Sequence, residues 1–126
     1  MSTPSKKSFF DSFRYAYTGI LIVYQEEKNF RIQLVAAGIA VGAGLFFSLT
    51  SVEWAILVLA ITAVLAGELL NSAMERYIDI VKPRVSVYAQ VMKDIMAGMV
   101  LVASLASIVV ACFLFIPKVL SKFTVQ

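Results

Sequence analysis

The sequence predicts an all-α integral membrane protein: an amphipathic N-terminal helix lying in the membrane interface and three transmembrane helices, forming one membrane domain over 1–126. Three observations predict it. Apolar residues make up 60% of the chain and charged residues 15%, against roughly 45–50% and about 25% in soluble domains. A chain of 126 residues has too little interior to hide that much apolar surface, so it needs lipid as its solvent. The apolar residues also fall into three long runs, and the basic residues gather at one side of them.

The first helix is expected over 8–28. Phe9, Phe10, Phe13, Tyr17, Ile20, Leu21 and Tyr24 recur at helical spacing, with Lys7, Asp11, Arg14, Thr18 and Gln25 on the opposite face. Aromatics on one side and basic residues on the other describe a helix lying in the interface. The start of the chain, Met1-Ser2-Thr3-Pro4-Ser5-Lys6-Lys7, lacks the short apolar core and small-residue cleavage site of a signal peptide.

The first span is expected over 32–49, an uncharged run rich in Ala and Gly. At about 1.5 Å per residue it reaches about 27 Å, just enough to cross. Its small residues permit close contact with another helix. Ser48 to Glu53 reads as a tight polar turn, and Trp54 stands where an interfacial aromatic belongs. The second span runs over 54–81 with a cytoplasmic extension, and Pro83 ends it. The third runs over 93–116, with Pro117 and Lys118 after it.

Lys6, Lys7, Arg14, Lys28 and Arg31 precede the first span, and Arg76, Lys82, Arg84 and Lys93 surround the second loop. The first turn carries no lysine or arginine, and the tail carries only Lys118 and Lys122. The excess of positive charge puts the N-terminus and second loop in the cytoplasm and the C-terminus outside.

Composition excludes several chemistries. Cys112 is the only cysteine and there is no histidine, so disulfide frameworks, zinc sites, histidine triads and histidine proton relays are ruled out. No phosphate-binding loop of the G-x-x-x-x-G-K-[ST] kind and no kinase glycine-rich loop occurs.

The second helix carries Glu68, Asn71, Ser72, Glu75 and Asp79, at offsets 0, 3, 4, 7 and 11. On a helix these form one narrow stripe. Glu68 lies about 21 Å along the helix from Trp54, inside the hydrocarbon near its cytoplasmic edge. A carboxylate there costs about 2.5–3.5 kcal/mol and is rarely idle. Three acids on one stripe repel unless some are protonated or a cation holds them together. Oxygen ligands without histidine suit a hard ion such as Mg²⁺. Gln25-Glu26-Glu27 and Lys93-Asp94 lie at the same level. Such a site fits an enzyme acting on a lipid headgroup, an ion-coupled transporter, or a non-catalytic membrane subunit that uses Glu68 for assembly.

The run Glu68-Leu69-Leu70-Asn71-Ser72-Ala73-Met74-Glu75, followed by Asp79 and by Lys93-Asp94-Ile95-Met96-Ala97-Gly98, resembles the prokaryotic diacylglycerol kinase family, which includes undecaprenol kinases. Glu27-Lys28-Asn29-Phe30-Arg31 is similar to its E-x-x-F-R motif, and the segment Tyr15 to Gly19 resembles the stretch before it. The resemblance covers about residues 8–118. It implies a homotrimer of three-span subunits in the bacterial plasma membrane, transferring the ATP γ-phosphate to a lipid hydroxyl at the cytoplasmic face. By the same resemblance Glu68 is the catalytic base, and Glu27 and Glu75 hold Mg²⁺. Tyr15, Asp79, Lys93 and Asp94 join those two acids at the nucleotide, and Asn71, Ser72 and Arg31 join Glu68 at the substrate. No nucleic-acid partner is implied. The second loop departs from the family, where a histidine often stands near Val87 or Tyr88. The N-terminal segment, Trp54 and the Phe115-Ile116-Pro117-Lys118 ending resemble the Gram-positive branch, which favours undecaprenol over diacylglycerol.

Overall fold

The computed structural model describes residues 8–81 and 86–124. Four helices follow one another: α1 (Phe9–Glu26), α2 (Lys28–Phe46), α3 (Ser51–Val81) and α4 (Val87–Thr124). The last three are long and apolar enough to cross a membrane. Only 6% of the apolar window of α4 is buried, so most of its surface requires lipid or another chain as its environment. The chain is a membrane protein.

At the start of α1 the Asp11 carboxylate accepts the Ser8 N–H at 3.2 Å, which satisfies one free donor and places negative charge at the positive end of the helix. Phe9, Phe10 and Phe13 are largely exposed along α1. α1 and α2 are separated by one residue. Glu27 alone leaves helical geometry, at φ −99° and ψ 109°, although neither glycine nor proline stands there. The break is held chemically. Arg31 Nη1 donates to the carbonyls of Tyr24 and Gln25, each at 2.9 Å, supplying partners that the ended helix no longer provides. Val23 and Phe30 are buried on either side of the junction.

The α2 helix ends in a Schellman motif. Ser48 takes the left-handed conformation (φ 51°), with Ser48 N–H bonded to the Leu45 carbonyl and Leu49 N–H to that of Gly44. Thr50 and Glu53 then cap α3 reciprocally: Thr50 N–H donates to the Glu53 carboxylate at 2.8 Å, and Glu53 N–H donates to Thr50 Oγ1 at 3.3 Å. The expected turn over Ser48 to Glu53 is therefore shorter, because this cap starts the helix at Ser51. Trp54 is half-buried rather than merely interfacial. A Cβ on Gly44 would lie 2.8 Å from its ring, so the glycine is what lets the indole seat against α2.

α3 and α4 form the most extensive helix pair. Ser86 starts α4 by accepting the Ala89 N–H at 3.1 Å. Pro117 lies inside this helix and does not end it. Membrane helices tolerate proline where neighbouring groups absorb the lost bond. At about 1.5 Å per residue α4 is about 57 Å long, well beyond the hydrocarbon layer. Pro83, expected to end the second span, lies outside the described residues, as do Lys6, Lys7, Lys82 and Arg84.

The core is small and sits at the Trp54 end, where Leu49, Leu57 and Leu114 are buried with Trp54, Ile61 and Phe115 around them. Midway, Ser107 Oγ ties α4 to α3 by donating to the Ala60 carbonyl at 3.1 Å. An apolar groove of about 390 Å³ runs among α2, α3 and α4, with Ala36, Ala40, Ala60 and Ala111 among its walls. Its polar end is Gln33.

Candidate active site

The α3 stripe has two different ends. Glu68 and Ser72 are buried, at 3% and 1% exposure, while the Asp79 side chain is 65% exposed. Helical period alone puts these residues in line, and the packing of α2 and α4 on α3 then sinks the Glu68 end. The Glu68 carboxylate receives one hydrogen bond from Gln33 Nε2 of α2, at 3.3 Å. A neutral amide compensates a buried carboxylate poorly, so the group is held in place without being neutralised.

Asn71 Nδ2 donates to Glu75 Oε1 at 3.3 Å. Three buried atoms around Glu68 have no hydrogen-bond partner among the described residues: Gln33 Oε1, Asn71 Oδ1 and Ser72 Oγ. Buried polar atoms in this state are costly. The two amide oxygens call for a donor or a cation, and the Ser72 hydroxyl can take either a donor or an acceptor. The charges of Glu27 and Glu75 both act on Glu68, so the structure brings the α1–α2 junction and the α3 acids into one electrostatic unit.

Lys93 Nζ bonds to Asp79 Oδ1 at 2.6 Å and also feels the charge of Glu75. This places a cation from α4 beside the outer part of the stripe. Asp94, by contrast, is engaged within α4, where Gln90 Nε2 donates to it at 2.9 Å. Tyr15 lies on α1, with the Arg14 guanidinium 5.6 Å from its ring centre. Arg31 is turned back onto the end of α1 rather than toward the stripe.

The oxygen donors suit Mg²⁺ in one specific way. Among the described residues no three acids form a ready-made cage. Glu27 and Glu75, whose charges both act on Glu68, are the two carboxylates that could serve as hard ligands here. Mg²⁺ commonly takes such a pair together with phosphate oxygens.

Two residues of the site were not anticipated from sequence. Gln33 lies within the run read as uncharged and apolar, where a lone amide at the depth of a buried acid was the available signal. Arg76 looks like a solvated cation, but its Nη2 stands 3.0 Å from Glu26 Oε2 and 3.7 Å from Glu27 Oε1. The signal for it was charge complementarity between Arg76 and Glu26-Glu27 at one membrane level.

Residues 14–115 match the family described as prokaryotic diacylglycerol kinase. An undecaprenol kinase of Bacillus subtilis is 34% identical over 110 residues, covering 87% of this chain and 89% of the relative. A diacylglycerol kinase of Synechocystis sp. is 34% identical over 111 residues, covering 87% of this chain and 63% of that longer protein. The chain belongs to the prokaryotic diacylglycerol kinase family, a family of membrane lipid kinases.

Proposed function

We propose, with that membership as the premise, that the chain transfers the γ-phosphate of ATP to the hydroxyl of a membrane lipid, undecaprenol being the preferred acceptor and diacylglycerol the alternative. The observation that carries the reading is Glu68, buried at 3% exposure among three buried polar atoms without a partner in the described residues. The lipid hydroxyl enters that pocket, bonded by Asn71 and Ser72, and Glu68 takes its proton as general base. The hydroxyl oxygen attacks the γ-phosphorus, the bond to the β–γ bridging oxygen breaks, and ADP leaves. Phosphoryl transfer asks mainly for positioning and charge neutralisation. Glu27 and Glu75 would hold Mg²⁺, which when bound neutralises phosphate charge. Lys93, exchanging Asp79 for phosphate oxygens, supplies a mobile cation. Tyr15, Asp79 and Asp94 border the nucleotide, and Arg31 braces the junction that carries Glu27 rather than touching the substrate.

The apolar groove supports this placement, since it begins at Gln33, the residue bonded to Glu68, and runs into the apolar part of the bundle. A lipid tail lying along it brings its hydroxyl to the carboxylate. Both relatives are 34% identical, so identity does not choose the lipid. The match to 89% of the undecaprenol kinase against 63% of the diacylglycerol kinase supports undecaprenol. In this reading α1 lies in the cytoplasmic interface with its aromatics in the headgroup region, the site faces ATP, and the C-terminus lies outside. Subunits assemble as a homotrimer, which covers the broad apolar surface that one chain leaves open.

The test is purified protein with Mg²⁺ and labelled ATP, offered undecaprenol and diacylglycerol in parallel. Label is expected on undecaprenol first, and Glu68→Gln should lose it while keeping helix content and assembly. Persisting label in that variant rejects Glu68 as base, and no label on either lipid rejects the function.

A further inference from the structure

We infer that Arg76 is a positioning residue, whose guanidinium, anchored on Glu26, aims the Glu27 carboxylate at the α3 acids and so sets how tightly the chain binds a divalent cation. The inference rests on the reading of Glu27 and Glu75 as metal ligands. It starts from the junction. Glu27 is the single residue between α1 and α2, in extended geometry (φ −99°, ψ 109°), and no glycine or proline fixes it there. Its charge and that of Glu75 both act on Glu68, and like charges push one another apart. In the absence of metal, that repulsion drives Glu27 toward water.

Arg76 opposes it. The residue follows Glu75 on α3, about 100° further round the helix, on an element that α1 also touches. Its Nη2 lies 3.0 Å from Glu26 and 3.7 Å from Glu27. The shorter contact is the anchor. The longer one pulls on Glu27 while leaving its second oxygen uncommitted. A guanidinium can serve two carboxylates at once through its rigid fork, which an ammonium does less well. Two other cations of this region are engaged elsewhere: Arg31 with the end of α1, and Lys93 with Asp79.

The experiment is Mn²⁺ titration of the full chain in detergent, followed by electron paramagnetic resonance, with kinetics run in parallel. Glu27→Gln and Glu75→Gln should each weaken Mn²⁺ binding by more than about ten-fold. Arg76→Ala should weaken it by about two- to five-fold, the range that a partly exposed ion pair supports. The kinetic change should fall on the metal half-saturation rather than on kcat. Arg76→Lys should lie between, and Glu26→Gln should weaken binding in the same direction. Helix content by circular dichroism checks that each variant is folded. Binding by Arg76→Ala equal to wild type overturns the inference, and tighter binding overturns it by showing the guanidinium to be a competitor for Glu27. If Glu27→Gln and Glu75→Gln bind Mn²⁺ like the wild type, the metal reading itself fails and takes the inference with it.

Discussion

Each end of the α3–α4 pair brings acids and bases together, with different results. At the Trp54 end Lys118 meets Glu53 at 3.0 Å, Glu53 also caps α3 through Thr50, and Lys122 lies 3.8 Å over the Phe46 ring. At the Glu68 end a buried carboxylate has one amide donor, and three nearby buried atoms have no partner among the described residues. Among the described residues, no buried side-chain polar atom at the first end is left without a partner, whereas three at the second are. Ionic character is common to both, and what distinguishes a site from a brace is the unfinished hydrogen bonding. The comparison also bears on orientation. Lys118 and Lys122, the residues that run against the charge rule, are each engaged locally, which supports an outward C-terminus in the proposed topology.

The largest expected effect tests the unfinished end. Glu68→Gln should reduce phosphoryl transfer by about 100- to 10,000-fold without lowering thermal stability, because it removes a poorly compensated buried charge. A matching fall in Tm would mean that Glu68 is a brace after all. The next tests the other end: Gly44→Leu drives a side chain into Trp54, whose ring lies 2.8 Å from the Cβ position. It should cost about 1–3 kcal/mol of stability in denaturant unfolding, with activity per folded molecule retained. A paired measurement sharpens the contrast. Lys93→Met should raise the ATP half-saturation about ten-fold through loss of a charge-assisted contact, whereas Lys118→Met should leave it unchanged and lower Tm slightly. Equal effects on ATP would erase the distinction between the ends. The smallest is Ser48→Gly, which relieves the left-handed φ of 51° and should stabilise by about 0.5–1 kcal/mol, visible as a raised Tm with unchanged kinetics.

Much of the stripe was legible in the sequence because helical period converts spacing directly into a face: Glu68, Asn71, Ser72, Glu75 and Asp79 needed no partner helix to be lined up. Which of them is buried was not legible, since burial depends on how α2 and α4 pack against α3. The same limit hid Gln33, whose register against Glu68 is a property of two helices. The stretch Lys82 to Lys93 reads from sequence as a short loop or a helix start, and the Ser86 cap starts α4 within it. Pro117, placed after the third span, lies inside α4, because sequence bounds a span by its apolar run and not by where the helix stops. Trp54 was read as an interfacial aromatic, and its seat on α2 depends on Gly44, ten positions away.

The one-residue junction at Glu27 also fixes the length of the chain around it. Val23 and Phe30, the buried side chains on its two sides, keep a common inward direction only at their present separation. One residue inserted or deleted between them turns one anchor by about 100° relative to the other and carries Phe9, Phe10 and Phe13 round with it. Substitution within this stretch is therefore a matter of degree, whereas a change of length is a frameshift in three dimensions.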